Sequence, residues 1–353
     1  RRHRRLAQPV FHHRRLVALT DTMSATVEEV AARWEEAATV GRTLDLGAEM
    51  NRLTFLIVGR CLFGAELGPR ADSVEQAFPV LLKELFQRAE SAFSFPIWLP
   101  TARHRRFKQA LATVDTVVDE VIAQRRGASA DRVDLLSLLL EARDEDGSAI
   151  SDEELRNHTI TFLLAGHETT SSTLTWTFAL LALHPEVRSA LERELDTVLG
   201  HGSPTLDTLG SLRLLDAVLR ESLRLYPSIW IAERRVVADD TLGGYDIPGG
   251  SMVVLAPYAT HRLAAQWPEP DVFRPERFLE RAELPTVEQG YFPFGAGPHQ
   301  CIGQHFAVLE AKLALAILLR RFRVDLIEPR FPPPLGGITL RPRDAVPIRV
   351  SER

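Results

Sequence analysis

Apolar positions recur at helical spacing through most of the first half of the chain. Three segments carry the pattern: Val27 to Glu36, Leu46 to Leu62 and Phe107 to Arg125. Between the second and third lies "FPVLLKELFQRAESAFSFPIWLP", apolar, aromatic and closed by prolines. Composition of that kind packs inward, as core or as the wall of an apolar pocket. Ser151 followed by Glu154 has the form of a capping box and predicts a helix start. The apolar pattern then runs to about His184, where Pro185 takes the first position of a new helix. A helix that long crosses much of a domain. At its middle, "AGHETTSS" sets small and polar residues where a buried helix normally carries Leu or Ile. A further helix is predicted from about Leu212 to Tyr226, stopped by Pro227.

After Pro227 the texture changes. "RRVVADDTLGGYDIPGGSMVVLAP" alternates Gly pairs with β-branched runs and predicts short strands and hairpins. "WPEPDVFRPERFLE" is a proline-punctuated coil, and "FPFGAGPHQCIG" is a glycine-rich loop. A helix from about Ile302 to Arg320 and a strand from Phe322 to Leu326 follow, and "RFPPPLGGITLRPR" predicts a hairpin turning at Gly-Gly. With no repeat, low-complexity tract or linker, the pattern predicts one mainly α domain over residues 1–353 with a smaller β-rich portion.

Composition narrows the function. Lys plus Arg total 42 against 47 Asp plus Glu, a net charge of -5 that gives no support for nucleic-acid binding. Two cysteines, Cys61 and Cys301, cannot build a disulfide framework or a four-thiolate iron–sulfur site, and they suit a reducing, cytoplasmic setting. The most apolar stretch, Thr159 to Leu183, is broken by His167, Glu168 and many hydroxyls, so no membrane span is predicted. "RRHRRLAQPVF" opens without a methionine inside what reads as a helix, as though the beginning of a longer chain were absent.

Three constellations could carry chemistry. Gly295, Gly297 and Gly303 surround Cys301, and the following helix directs its positive end toward the sulfur, favouring the thiolate. Such a thiolate could be a nucleophile, a zinc ligand or an axial iron ligand, and a small buried hydrophobe is the plain alternative. Cys61, in "VGRCLFG" on an apolar helical face, takes that plain reading. In "AGHETT", His167 and Glu168 begin a zinc-protease pattern, but Ser171 stands where its second histidine belongs, so that reading fails. There remain a carboxylate, Glu168, beside the hydroxyls of Thr169 and Thr170: a proton relay, or a polar notch that bends the helix. Glu221 and Arg224, three apart on one helix face, can pair, and Arg277 in "RPERF" is a third partner for the guanidinium fork.

In this order, "AGHETT", "ESLR", "RPERF" and "FGAGPHQCIG" resemble the motifs of the cytochrome P450 family. The resemblance implies Cys301 as the proximal thiolate ligand of haem b iron, with Phe294, Gly295 and Gly303 at signature positions of the loop beneath the porphyrin. It implies Glu168 and Thr169 as the proton-delivering pair, with Ala165 and Gly166 giving bound dioxygen its space. Glu221, Arg224 and Arg277 become a structural triad. Arg4, Arg234 and His299 match cationic partners of the haem propionates. The tryptophan that often opens the helix containing Arg4 would fall immediately before residue 1. The family's earlier helices, the first strands of its larger sheet and its loop over the haem have no counterpart here, so the resemblance implies an N-terminally incomplete version of the fold.

The same resemblance implies an enzyme that inserts one oxygen atom of O2 into a hydrophobic substrate. Phe162, Leu163, Trp230, Ile231 and Ile338 fall where the pocket is lined, and Phe78 to Phe95 falls where the family has its mobile lid helices. A lipid-like or terpenoid-like molecule fits such a lining. The chain holds no flavin or nicotinamide fingerprint, so electrons come from a ferredoxin or flavodoxin-type donor with its reductase. The opening "RRHRR" helix is a docking face for an acidic donor or only a solvated basic face. A monomer is expected. A peroxide-using enzyme on the same scaffold is the nearest alternative, disfavoured by the retained Glu168–Thr169 pair. A non-catalytic haem-binding protein is the other.

Overall fold

In a computed structural model of the chain, the described residues are 2–11, 16–63, 71–91, 95–126, 134–144, 147–200, 202–280, 283 and 285–353. The helices are α1 (Arg2–Ala7), α2 (Thr20–Thr39), α3 (Leu46–Phe63), α4 (Ala71–Glu90), α5 (Ala102–Arg126), α6 (Leu135–Glu141), α7 (Asp152–Leu183), α8 (Pro185–Leu199), α9 (Leu206–Ser211), α10 (Arg213–Leu225), α11 (Pro257–Thr260), α12 (Glu276–Leu279) and α13 (Gln304–Arg321). The strands are β1 (Leu44–Asp45), β2 (Ala232–Arg235), β3 (Asp240–Leu242), β4 (Tyr245–Ile247), β5 (Met252–Leu255), β6 (Phe322–Leu326), β7 (Pro334–Gly336), β8 (Leu340–Pro342) and β9 (Pro347–Glu352). The fold is mainly α with a smaller β portion, as the sequence pattern predicts.

Helix α7 shows how local signals fix the frame. The Ser151 hydroxyl accepts from the Glu154 amide at 3.2 Å, and the Glu154 carboxylate accepts from the Ser151 amide at 2.9 Å. Two orphan donors at the N-terminus are thereby satisfied. The helix runs 32 residues to His184, where Pro185 opens α8. Over its second half, from Ser171 to Leu181, every residue is buried. Helix α13 is buried almost all round, and α2 contributes the stripe Met23, Val27, Val30, Ala31 and Trp34. The Trp34 ring meets Phe178 of α7 at 5.9 Å and Phe322 of β6 at 5.8 Å, joining the three elements in one core.

The apolar stretch from Phe78 begins inside helix α4, which starts at Ala71 and continues through Pro79. Val74, Ala77, Phe78 and Leu81 are buried at helical spacing, as core. Phe95 and Trp98, further along, are exposed, and residues 92–94 lie outside the described residues.

The β portion is antiparallel throughout. β9 lies between β1 and β6, with Leu44 opposite Ile348 and Val324 opposite Val350. β2 pairs β5, β3 pairs β4, and β7 pairs β8, the last with Gly336 opposite Leu340 across the predicted Gly-Gly turn. That last hairpin is seated on α7, because the Leu340 carbonyl accepts from the Trp176 indole at 2.9 Å and from the Ser172 hydroxyl.

Candidate active site

The loop before α13 is shaped by its own amides. The Gly295 amide donates to the Phe292 carbonyl at 2.9 Å, and the Cys301 amide donates to the Phe294 carbonyl at 2.8 Å. Gly295 and Gly297 sit at φ +70° and +59°, where a side chain is strained. Cys301 is exposed and opens on a cavity of about 310 Å³ that it shares with Arg4, Phe11, Ile302 and His305. Partial desolvation raises its thiol above the ordinary value, opposed by the Gly303 amide and by the positive charge of Arg4. Cys61 is its opposite: wholly buried on α3, its thiol pushed far up by desolvation.

The Glu221 triad closes as its spacing predicts. Arg224 donates Nε and Nη2 to the two Glu221 oxygens at 2.7 and 2.9 Å, and Arg277 Nε reaches Glu221 Oε1 at 3.0 Å. The remaining guanidinium donors go to carbonyls: Arg224 to His261 at 2.9 Å and Pro270 at 2.6 Å, Arg277 to Pro268 at 2.9 Å. All three side chains are buried, and the network binds α10 to the coil between α11 and α12.

The polar middle of α7 bonds both to neighbouring elements and back along its own helix. Glu168 accepts from the Thr339 hydroxyl at 2.7 Å, and the Thr169 carbonyl accepts from the Ser228 hydroxyl at 2.7 Å. The Thr169 hydroxyl donates to the Ala165 carbonyl one turn back at 2.7 Å. Burial raises Glu168 above the usual carboxylate range, partly countered by Thr339 and by the charge of Arg341. His167 is packed against Phe55 and Phe78, and burial lowers it to about 4, so it stays neutral. Ala165 is exposed, whereas a Cβ on Gly166 would lie 3.1 Å from Val58 of α3. The want of a side chain at Gly166 therefore serves the crossing of the two helices.

Other sequence candidates do not line the cavity that Cys301 opens on. The Arg234 guanidinium donates only to the neighbouring Glu233 carbonyl at 2.7 Å, and His299 is exposed. Leu163 is fully buried in the core, and Phe162 meets Phe11 edge-on at 5.1 Å, joining α7 to the cavity wall. The Trp230 indole donates to the Gly337 carbonyl at 2.9 Å, beside half-buried Ile231 and partly exposed Ile338.

Residues 1–346 match the family described as Cytochrome P450. The chain belongs to the cytochrome P450 family. It is 35% identical to cyclooctatin synthase of Streptomyces melanosporofaciens, over 97% of this chain and 73% of that protein. It is 37% identical to pentalenene oxygenase of Streptomyces avermitilis, over 93% of this chain and 72% of that protein. The crystal structure of the cytochrome P450DA heme domain superposes with a TM-score of 0.87 at 32% identity, covering 99% of this chain and 76% of that one. With relatives named as oxygenases and monooxygenases, this P450 is a haem-iron monooxygenase.

The residues present fit that iron. A single exposed thiol faces a cavity with a cation beside it, and no cluster of three or more His, Cys, Asp or Glu among the described residues offers a competing metal site. Sequence reasoning about the P450 site missed Thr339, the bonds of Ser228 to α7, and Glu310. Thr339 and Ser228 are ordinary hydroxyls in loops, distant in the chain from the groups they serve. Glu310 hides in the apolar run of α13, wholly buried beside Thr170 and Cys61. Burial pushes it well above the carboxylate range, and neither of its oxygens finds a hydrogen bond of ordinary geometry.

Proposed function

We propose that this P450 holds haem b through the Cys301 thiolate and oxidises a hydrophobic, terpenoid-like small molecule, with electrons from a separate ferredoxin or flavodoxin-type donor and its reductase. The carrying observation is the setting of Cys301: exposed on a cavity, at the end of a loop braced by its own amides, with Gly303 and Arg4 opposing the desolvation that raises its thiol. Haem, when bound, supplies the redox-active iron that activates dioxygen.

The chain's own residues then have definable tasks. Arg4, in the cavity with the thiol, is placed to neutralise an anionic group of the cofactor. Glu168 keeps a proton to higher pH than an exposed carboxylate and passes protons toward the Thr169 hydroxyl. Exposed Ala165 offers little steric bulk on the same helix face as Thr169. Trp230, Ile231 and Ile338 supply apolar surface for substrate. Two relatives named for cyclooctat-9-en-7-ol and pentalenene act, by those names, on an unsaturated alcohol and an alkene, which supports an apolar substrate class. The two thiols suit the reducing cytoplasm, and the protein is assigned as a monomer of one domain.

The test is the reduced carbon monoxide difference spectrum of the haem-loaded protein. A red-shifted Soret band, lost in Cys301→Ala, is the expected result. A band unchanged in that variant overturns the ligand assignment. Turnover with peroxide alone, undiminished without an electron donor, would instead support the peroxide-using reading.

A further inference from the structure

We infer that His261 is a positioning residue for the thiolate loop, clamping Phe292, where the loop begins, to the C-terminal end of α10. The imidazole is fully buried between two chain segments that are distant in sequence. Its Nε2 lies 3.0 Å from the Phe292 amide, and its Nδ1 lies 3.2 Å from the Arg224 carbonyl. An amide can only donate and a carbonyl can only accept, so the tautomer is fixed: Nδ1 carries the proton and Nε2 accepts. A protonated ring has no acceptor to offer Phe292. Burial lowers His261 to about 4, so the ring keeps its lone pair at neutral pH.

The clamp is reciprocal with the buried triad. The Arg224 guanidinium donates to the His261 carbonyl at 2.9 Å while the His261 ring donates to the Arg224 carbonyl. The same guanidinium is held by both Glu221 oxygens. A continuous chain of hydrogen bonds therefore leads from Glu221 through Arg224 and His261 to Phe292. The Phe292 carbonyl in turn receives the Gly295 amide, and the carbonyl of Phe294, the residue before Gly295, receives the amide of Cys301 itself. Tyr291 and Phe292 add ring contacts to the imidazole at 5.3 Å each, one tilted and one edge-on. The triad thus governs the position of the sulfur through His261. Without the ring, the part-buried Phe292 amide and the buried Arg224 carbonyl both lose their partner.

This inference rests on Cys301 as the haem ligand, and the experiment separates the two. The haem-loaded full chain is compared with His261→Phe, which keeps an aromatic volume but neither hydrogen bond, and with His261→Gln, whose amide carries one acceptor and one donor. Thiolate ligation is followed by the red-shifted carbon monoxide band during mild warming. The expected result is a band that decays at least about tenfold faster in His261→Phe than in wild type, the factor that even one of the two lost hydrogen bonds carries, and partial recovery in His261→Gln. Equal decay in wild type and His261→Phe overturns the clamp, whereas a wild type with no such band overturns the ligand assignment instead. If His261→Phe does not fold, amide exchange in the wild-type protein decides. A Phe292 amide protected as strongly as the amides of α10 supports the clamp, and fast exchange at Phe292 overturns it.

Discussion

The Thr339 hydroxyl donates to Glu168 at 2.7 Å, tying the tip of the C-terminal hairpin to the centre of the longest helix. A donor on a carboxylate stabilises its charged form, so Thr339 holds Glu168 lower than burial alone would. In Thr339→Val the donor is gone and the volume is kept. Glu168 then retains its proton to higher pH. Product formed per electron pair, measured against pH, should fall off at correspondingly higher pH in the variant. An unmoved profile would separate Glu168 from proton delivery.

Thr169→Ala tests the partner hydroxyl. That hydroxyl donates within its own helix, to Ala165, so the bond lost on its removal is internal to α7. Stability and the carbon monoxide band should match wild type, while product per electron drops by about an order of magnitude and peroxide rises. Oxygen, peroxide and product are quantified in the same reaction.

Glu221→Gln removes the negative centre that two buried guanidinium groups share. Leaving buried charge uncompensated costs about 3–5 kcal/mol. The expected outcome is a large drop in the urea midpoint, or no folded protein at all. The exposed pair Arg330–Glu328 serves as the control, with a cost of about 0–1 kcal/mol when broken.

Glu310 makes stability depend on pH in a direction that can be worked out. Its folded-state value is raised, so between the ordinary carboxylate value and the raised one the native state holds a proton that the unfolded chain releases. Native stability from this group is therefore lost as pH rises through that window. Glu310→Gln has no such proton to hold. Its stability relative to wild type should climb as pH is raised from acid to neutral, read from denaturant midpoints at each pH. A constant difference would show Glu310 to be ionised in the native state.

Much of the frame was legible because its signals are local. The Ser151–Glu154 cap, Pro185, the strand Phe322–Leu326 and the Gly-Gly hairpin each depend on residues adjacent in the chain, and each stands where the pattern puts it. The Glu221–Arg224 pair is equally local, and Arg277 was reached through its motif. The partners Thr339, Ser228 and His261 were not legible, since nothing in a hydroxyl or a lone imidazole tells which distant group it will meet. Gly166 shows the same limit: its neighbour is Val58, more than a hundred positions away, and only packing reveals why a Cβ is unwelcome.

The amides that shape the stretch from Phe292 to Cys301 terminate on protein atoms: Phe292 on an imidazole, Gly295 and Cys301 on carbonyls of the loop itself. Each of those donors is thus spent inside the polypeptide, and the path of the loop is drawn by bonds that call on no outside partner.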